Sequence, residues 1–109
     1  MLLVVMRGGL YFAGQLLPRL QFPLDLDYIH ATRYGDATSG GQLQWKVEPP
    51  AQVSGRHVLV LDDILDGGDT LAEIQQRLLA LGAASVQSAV LTDKQHGRPK
   101  PIAADFVGL

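Results

Sequence analysis

The chain has 109 residues, a formal net charge of −2, and 47% hydrophobic residues. These values predict a single domain, residues 1–109, with a hydrophobic core, and the lack of a basic stretch argues against nucleic acid as a main partner. The chain has no cysteine, which excludes disulfides and thiolate metal sites. The apolar run from Met1 to Met6 is too short to cross a membrane, so a cytoplasmic protein with no membrane partner is expected.

The first half of the chain predicts three strands and a helix. Residues 2–6 are apolar and predict a buried strand. An apolar stripe interrupted by Pro18 predicts the helix, and it comprises Leu10, Ala13, Leu16, Leu17 and Leu20. Alternating apolar residues predict strands at 24–30, near a sheet edge, and at 43–47, and the intervening 34–41 reads as a mobile loop.

The central stretch, residues 58–71, predicts a strand, a loop and the start of a helix. Val58 to Leu61 read as a buried strand, and the helix start has Thr70 and Glu73 at capping-box spacing. The loop between them contains Asp62, Asp63, Asp66, Gly67 and Gly68. Paired glycines and a helix N-terminus predict an anion site, most plausibly for phosphate. The carboxylates would repel phosphate, so they suit sugar hydroxyls, a metal ion or a developing positive charge. A ligand that carries a phosphate and a ribose suits both the anion site and the carboxylates.

The second half of the chain completes a strand, helix, strand unit. Leu71, Ile74, Leu78 and Leu81 form an apolar stripe that Gly82 ends. Residues 86–91 predict the next strand, and one more strand begins at 105. The predicted fold class is α/β, a mostly parallel open sheet flanked by helices, with a flexible β-ribbon and loop.

Residues 58–70 resemble the phosphoribosyl pyrophosphate signature of the type I phosphoribosyltransferases, in which Asp-Gly-Gly-Asp-Thr follows a strand and two acids. Further segments fall in the order found in the hypoxanthine-guanine branch: Met6-Arg7-Gly8-Gly9, Tyr34-Gly35, Leu91-Thr92-Asp93-Lys94 and Asp105-Phe106-Val107-Gly108. The resemblance covers nearly the whole chain and implies the core domain of that family. It also implies truncation at both ends, because members carry a helical segment before the first strand and further site residues after Phe-Val-Gly.

The resemblance implies an activity and its partners. The phosphoribosyl group of phosphoribosyl pyrophosphate would pass to hypoxanthine or guanine with release of pyrophosphate. The cofactor would be Mg²⁺, and a homo-oligomer, either a dimer or a tetramer, is usual in such families. The alternatives are a non-catalytic nucleotide-binding or regulatory module of the same fold, and an inactive fragment.

The resemblance also implies roles for individual residues. Asp66 would accept or share the proton of the purine imidazole nitrogen, and Lys94 would donate to the exocyclic oxygen of the purine. Asp62 and Asp63 would hold the ribose hydroxyls and would contact the metal weakly, mainly through the substrate. The phosphoribosyl site would also include Gly67, Gly68, Asp69 and Thr70. The pyrophosphate site would comprise Arg7, Gly8 and Arg98. Tyr34 would belong to the flexible loop that closes over the site, although Arg33 stands where members usually carry serine.

Other readings of the same residues are weaker. Acids after a strand are also typical of response-regulator receivers, but those lack the paired glycines. No Gly-Lys-Ser/Thr is present for a P-loop, and apolar Ile64 and Leu65 exclude an EF-hand. The three histidines have no metal-ligand spacing and read as structural: His30, His57 and His96.

Overall fold

The computed structural model describes residues 1–20, 24–34, 42–65, 68–94, 97 and 99–108, and for Arg33, Tyr34 and Gln42 it describes the backbone alone. The strands are β1 (Leu2–Val5), β2 (Leu26–Tyr34), β3 (Gln42–Val47), β4 (His57–Leu65), β5 (Ser85–Asp93) and β6 (Phe106–Val107). The helices are α1 (Gly9–Leu16) and α2 (Asp69–Ala80), with short 3₁₀ turns at Leu17–Arg19 and Ala51–Val53. Neither α1 nor α2 is long and apolar enough to cross a membrane.

The strands form one six-stranded sheet in the order β3-β2-β1-β4-β5-β6. Only the β2–β3 pair is antiparallel, and it makes a ribbon at one side of the sheet. The other pairs are parallel. This arrangement confirms the predicted α/β class, and it places β2 one strand in from the edge, as its alternating pattern indicated.

Two apolar layers cover the sheet, one on each face. All of β1 is buried, with Leu3 and Val5 in one layer and Leu2 and Val4 in the other. Helix α2 covers the first face through Leu71, Ile74 and Leu78. Helix α1 covers the second face through Ala13. The run of consecutive apolar residues in β1 follows from burial on both sides.

The strongest difference from the sequence-based expectation lies in β4, which continues through Asp62 and Asp63 to Leu65. Backbone pairing with β5 carries the strand that far, since Leu65 lies opposite Asp93. Helix α2 then begins at Asp69, with Gly68 as its N-cap. Thr70 therefore lies inside the first turn, and the capping-box interpretation, which made Thr70 the N-cap, is wrong.

Helix α1 is shorter than its apolar stripe suggested. It ends at Leu16, and Pro18 lies in the following 3₁₀ turn, because proline has no N–H to continue the helical ladder. Leu10 is 58% exposed, so its assignment to the core stripe was wrong. The stripe of α2 is confirmed up to Leu78, and Gly82 follows the C-cap Leu81 with φ 96°.

Adjacent leucines in α2 allow a matched test of this core. Leu78 is fully buried, whereas Leu79 is 47% exposed. We expect Leu78→Ala to lower the free energy of unfolding by at least about 2 kcal/mol, because it leaves a cavity under the sheet. Leu79→Ala removes the same atoms from a half-exposed position and should cost less than about 1 kcal/mol. Urea unfolding of both variants measures the difference, and equal losses would contradict the packing of α2.

Candidate active site

The carboxyl ends of β1, β4 and β5 lie at the same edge of the sheet, because these strands are parallel neighbours. The loop before α1 follows β1, the signature segment begins in β4 and ends in α2, and Lys94 follows β5. This edge is where open α/β sheets bind their ligands. The fold therefore gathers three of the predicted site segments in one place.

The acidic pair lies in the last part of β4, with both side chains partly buried. The N–H of Asp63 donates to Oδ1 of Asp62 at 2.8 Å. The N–H of Ile64 donates in turn to Oδ1 of Asp63 at 2.7 Å. Each carboxylate is thus held by the backbone of the following residue, which fixes the direction in which it faces.

Asp62 is the acid of the site whose carboxyl pKa is clearly changed in the folded structure. Burial raises the pKa of its carboxyl to about 7 from 3.8, because the charged form loses its hydration. The neighbouring Asp63 side chain and its charge raise the pKa further, and the N–H of Asp63 opposes the rise. Asp62 therefore titrates near neutral pH, where protonation controls whether it can act as a hydrogen-bond donor or a metal ligand.

The loop between β1 and α1 is packed directly against the acidic strand. A Cβ placed on Gly8 would lie 2.6 Å from Cγ of Asp63 and 2.7 Å from each of its carboxylate oxygens. A Cβ on Gly9 would lie 2.6 Å from the carbonyl oxygen of Leu61. Both glycines are needed for this close approach, and exposed Arg7 immediately precedes them in the chain. The peptide bond between Met6 and Arg7 is cis.

The start of α2 also fits the predicted phosphate site. Gly68 has φ 89°, a left-handed conformation that side chains rarely adopt, and its carbonyl accepts the N–H of Ala72 at 2.9 Å. Asp69 and Thr70 form the first turn, where backbone N–H groups and the helix dipole favour an anion. Gly68 is itself buried, and Pro101 lies over it, with Cδ 3.2 Å from the position of an added Cβ.

Lys94 is exposed at the end of β5 and is tied to the signature strand through its backbone. Its N–H donates to the carbonyl oxygen of Leu65 at 2.8 Å. The main chain that carries Lys94 is therefore fixed beside the end of β4, immediately before residue 66.

Several predicted site residues fall outside the described part of the chain. They are Asp66, Gly67 and Arg98. Tyr34 is the last residue of β2, and its side chain is outside the description, as are residues 35–41 of the predicted loop. Within the described residues, the structure brings Gly8 against Asp63, and it brings Lys94 to the end of β4.

Sequence reasoning missed Lys100, which lies between the last two strands, β5 and β6. Its Nζ atom lies 2.6 Å from Oδ1 of Asp93 and 3.1 Å from the carbonyl oxygen of Leu65, and it also donates to the carbonyl of Lys94. No periodic pattern marks such a residue. The one available signal was a lysine between two prolines, Pro99 and Pro101, where the chain direction is restricted.

The described ranges contain no group of three or more His, Asp or Glu side chains placed to hold a metal ion. Asp62 and Asp63 are adjacent acids in the last part of β4, and two carboxylates suit Mg²⁺ only when substrate phosphates and water complete its octahedron. The residues present thus fit a metal ion that arrives with a phosphorylated substrate, and they do not form a cage of their own.

Comparisons with known proteins agree with this geometry. The family model described as a phosphoribosyl transferase domain matches residues 1–109. Hypoxanthine-guanine phosphoribosyltransferase from Bacillus subtilis is 33% identical over 105 residues, which cover 95% of this chain and 58% of that protein. The chain therefore spans less than two thirds of the length of such curated relatives.

Solved structures give the same result. A Bacillus anthracis hypoxanthine-guanine phosphoribosyltransferase with HEPES in its active site superimposes with a TM-score of 0.89 at 26% identity, covering 99% of this chain and 64% of that one. The Trypanosoma cruzi hypoxanthine phosphoribosyltransferase in complex with the product IMP superimposes with a TM-score of 0.86 at 31% identity, covering 99% and 59%. The similarity confirms the predicted fold and the predicted branch.

Proposed function

Because this chain belongs to the phosphoribosyl transferase domain family, we propose that it transfers the phosphoribosyl group of phosphoribosyl pyrophosphate to hypoxanthine or guanine and releases pyrophosphate. The observation that carries the proposal is the contact of the Arg7-Gly8-Gly9 loop with the acidic end of β4. Arg7, the residue before this contact, is the candidate cation for pyrophosphate, and the carboxylates of Asp62 and Asp63 are the candidates for ribose. The 6-oxopurine substrate is supported by the named relatives and by Lys94 at the same edge.

The reaction joins a purine nitrogen to the anomeric carbon of ribose while the bond to pyrophosphate breaks. Asp62 and Asp63 accept hydrogen bonds from the ribose hydroxyls, and their negative charge stabilises the positive charge that develops on the sugar. The first turn of α2, with Gly67, Gly68, Asp69 and Thr70, holds the 5′-phosphate through backbone N–H groups. The residues for ribose and those for the 5′-phosphate lie within one strand, loop and helix, so phosphate and ribose are held at a fixed separation.

The two remaining groups are the leaving group and the base. Arg7 and Arg98 bind pyrophosphate, and Gly8 allows its close approach to the loop. Asp62 and Asp63 would help to hold a Mg²⁺ ion weakly, mainly through the substrate, and that ion would supply positive charge to neutralise the leaving pyrophosphate. Lys94 donates to the exocyclic oxygen of the purine, and Asp66 accepts or shares the proton of its imidazole nitrogen. Tyr34 and the loop after it cover the site and limit hydrolysis of the sugar.

We further propose that residues 1–109 are the core of the domain and that the protein is a homo-oligomer, either a dimer or a tetramer. An exposed apolar patch beside α1 and β2 supports association, since it consists of large side chains that water does not favour. Its members are Leu10, Leu26 and Tyr28, which are between 46% and 58% exposed and line one concavity. Sedimentation of the wild type and of Leu10→Ser tests this assignment: the variant should dissociate more readily, and a wild type that stays monomeric contradicts it.

The function is tested by titrating the protein with guanosine monophosphate and with phosphoribosyl pyrophosphate, with and without Mg²⁺, beside an assay for nucleotide formation from hypoxanthine. Binding with turnover supports the transferase. Binding without turnover favours the alternative, a nucleotide-binding or regulatory module of the same fold. A folded sample that binds neither ligand overturns the site assignment.

Lys94 provides a residue-level prediction for the purine end. We expect Lys94→Met to weaken guanosine monophosphate binding by about tenfold, the value of one charge-assisted hydrogen bond, and to leave ribose 5-phosphate binding unchanged. Ribose 5-phosphate lacks the base and uses only the phosphate and ribose groups. Lys46→Met is the matched control, because Lys46 is exposed on β3, which is separated from β5 by three other strands of the sheet. Equal affinities for Lys94→Met and the wild type would remove Lys94 from the purine site.

A further inference from the structure

Lys100 is an internal cation at the edge of the sheet that carries the candidate site. Its side chain is only 12% exposed, and that of its ion-pair partner Asp93 is 25% exposed. Its Nζ atom lies 2.6 Å from Oδ1 of Asp93 and 3.1 Å from the carbonyl oxygen of Leu65, and it also donates to the carbonyl of Lys94. We call this group of four residues the Lys100 clasp.

The clasp uses the full donor capacity of the lysine. An ammonium group has three N–H bonds, and the structure supplies three acceptors for them. Lys100 therefore has no donor left over for a phosphate or a purine in this arrangement. Its role is to hold the protein and not to bind the ligand.

The clasp joins three separate pieces of the chain. Leu65 ends β4, Asp93 ends β5 with Lys94 directly after it, and Lys100 belongs to the segment that follows. That segment also covers Gly68, with Ile102 3.4 Å from the position of an added Cβ, and Ile102 packs on the main core cluster. The lysine is thus anchored on both sides, so its charge has a fixed position.

The backbone of Lys94 is held at both of its polar groups. Its N–H donates to the carbonyl of Leu65, and its own carbonyl accepts from Lys100. With both peptide groups fixed, the direction in which the Lys94 side chain leaves the sheet is fixed as well. Side chains that bind a substrate gain from such second contacts, because less freedom is lost when the ligand binds.

We propose that Lys100 is a positioning residue for the purine end of the site and that it acts through Lys94; this rests on the proposed function. The geometry requires lysine in particular, because a compact ammonium can meet three acceptors in different directions, whereas the planar guanidinium of arginine cannot. The positioning acts on the base and leaves the sites for phosphate and ribose largely unaffected. Specificity for the base thus depends on a side chain that never touches it.

The absence of cysteine from the sequence allows a chemical rescue at this position alone. Lys100→Cys removes the ammonium, and alkylation with 2-bromoethylamine then rebuilds a lysine analogue there. We expect Lys100→Cys to weaken guanosine monophosphate binding at least about tenfold and to change ribose 5-phosphate binding by less than about threefold. Alkylation should restore guanosine monophosphate binding. Lys46→Cys, treated in the same way, is the control for the reagent.

Comparing the affinities for guanosine monophosphate and ribose 5-phosphate distinguishes positioning of Lys94 from general support of the fold. If both ligands lose affinity by the same factor, Lys100 only supports the fold and the proposal is overturned. Unchanged binding of guanosine monophosphate by folded Lys100→Cys also overturns it. Should the single variant fail to fold, Asp93→Asn combined with Lys100→Met removes both charges together, which is better tolerated than leaving one of them buried alone. The double variant should fold and still lose guanosine monophosphate affinity selectively, and retention of that affinity rejects the proposal.

Hydrogen exchange tests the clasp without any ligand, and so separates its failure from failure of the proposed function. The amide of Lys94 should exchange at least about tenfold faster in Lys100→Cys than in the wild type, while core amides of β4 keep their protection. If the Lys94 amide is unaffected, the clasp does not fix this backbone and the proposal is wrong. A wild type that fails to bind guanosine monophosphate, with a normal exchange response, contradicts the transferase function alone.

Discussion

Alanine at Gly9 is expected to lower the free energy of unfolding by about 3 kcal/mol or more. The added Cβ would lie 2.6 Å from the carbonyl oxygen of Leu61, in the central strand β4, and neither backbone can move without disturbing the sheet. Alanine at Gly8 meets the carboxylate of Asp63 instead, and that side chain can rotate. Gly8→Ala should therefore be more stable than Gly9→Ala.

The displaced carboxylate makes Gly8→Ala a test of function. Asp63 would lose the hydrogen bond from the N–H of Ile64 and with it its fixed direction. We expect the affinity for phosphoribosyl pyrophosphate to fall at least about tenfold, since groups displaced by about 1 Å lose much of their contribution. Gly14 supplies the control, because nothing lies within 4 Å of an added Cβ there. Gly14→Ala should keep the affinity and raise stability by up to about 1 kcal/mol, as expected for alanine in a helix.

Urea unfolding and calorimetric titration of the three variants give both quantities. Wild-type stability in Gly9→Ala would mean that the loop is not seated on β4. Wild-type affinity in Gly8→Ala would mean that the direction of the Asp63 carboxylate does not matter for binding, and the assigned ribose role would be lost.

Asp62→Asn is expected to change how stability depends on pH. Burial holds the carboxyl pKa at about 7 in the folded protein, against 3.8 for the ordinary group, so the folded state binds the proton more tightly than the unfolded state. The favourable contribution is complete below pH 3.8 and is lost as the pH rises through about 7. The full difference corresponds to at most about 4 kcal/mol.

The asparagine variant cannot ionise and should lack this loss, so its stability should exceed that of the wild type above pH 8. Asp27→Asn is the matched control, because Asp27 accepts the N–H of Tyr28 at 2.8 Å in the same local geometry but in an exposed setting. Unfolding of all three proteins between pH 4 and 9 measures the effect. Parallel curves for the wild type and Asp62→Asn would show that Asp62 ionises normally.

The same titration carries over to ligand binding. The ionised carboxylate accepts stronger hydrogen bonds from ribose hydroxyls than the neutral acid does, and it is the form that binds Mg²⁺, so the wild-type affinity for phosphoribosyl pyrophosphate should rise between pH 6 and 8, as the pKa of Asp62 is about 7. The asparagine variant should bind more weakly, and its affinity should lack the part of this rise that Asp62 causes. A buried acid at the site therefore makes the folded state less stable at the pH at which the site works best.

The local patterns of the sequence were sufficient for most of the fold. The apolar run Val58 to Leu61 marked the central strand, and the spacing of Leu71, Ile74 and Leu78 marked the helix after it. The end of β4 could not be placed, because Asp62 and Asp63 resemble a strand terminus. Their place in the strand depends on pairing with β5, a partner that lies far along the chain.

In the site, too, local patterns could be predicted from the sequence and contacts between distant segments could not. The acids and glycines of the signature stand together in the sequence, so their chemistry could be inferred from neighbouring residues alone. The contact between Gly8 and Asp63 could not be inferred, since a glycine pair by itself indicates only a turn. Apart from the two flanking prolines, Lys100 gave no signal, because its three acceptors lie at the ends of two different strands. The roles assigned to the site residues, including Asp66 and Arg98, stay predictions.

The central position of β1 has a consequence for folding. Leu2 lies opposite Leu26 on one side and opposite Leu59 on the other, so β1 cannot be enclosed until β4 has been synthesised. During synthesis the nascent chain therefore holds an apolar strand with one open edge while the intervening residues emerge, a state that invites aggregation. Closure of such distant parallel pairs is slow, so the rate-limiting step of folding should be the docking of β4 onto β1.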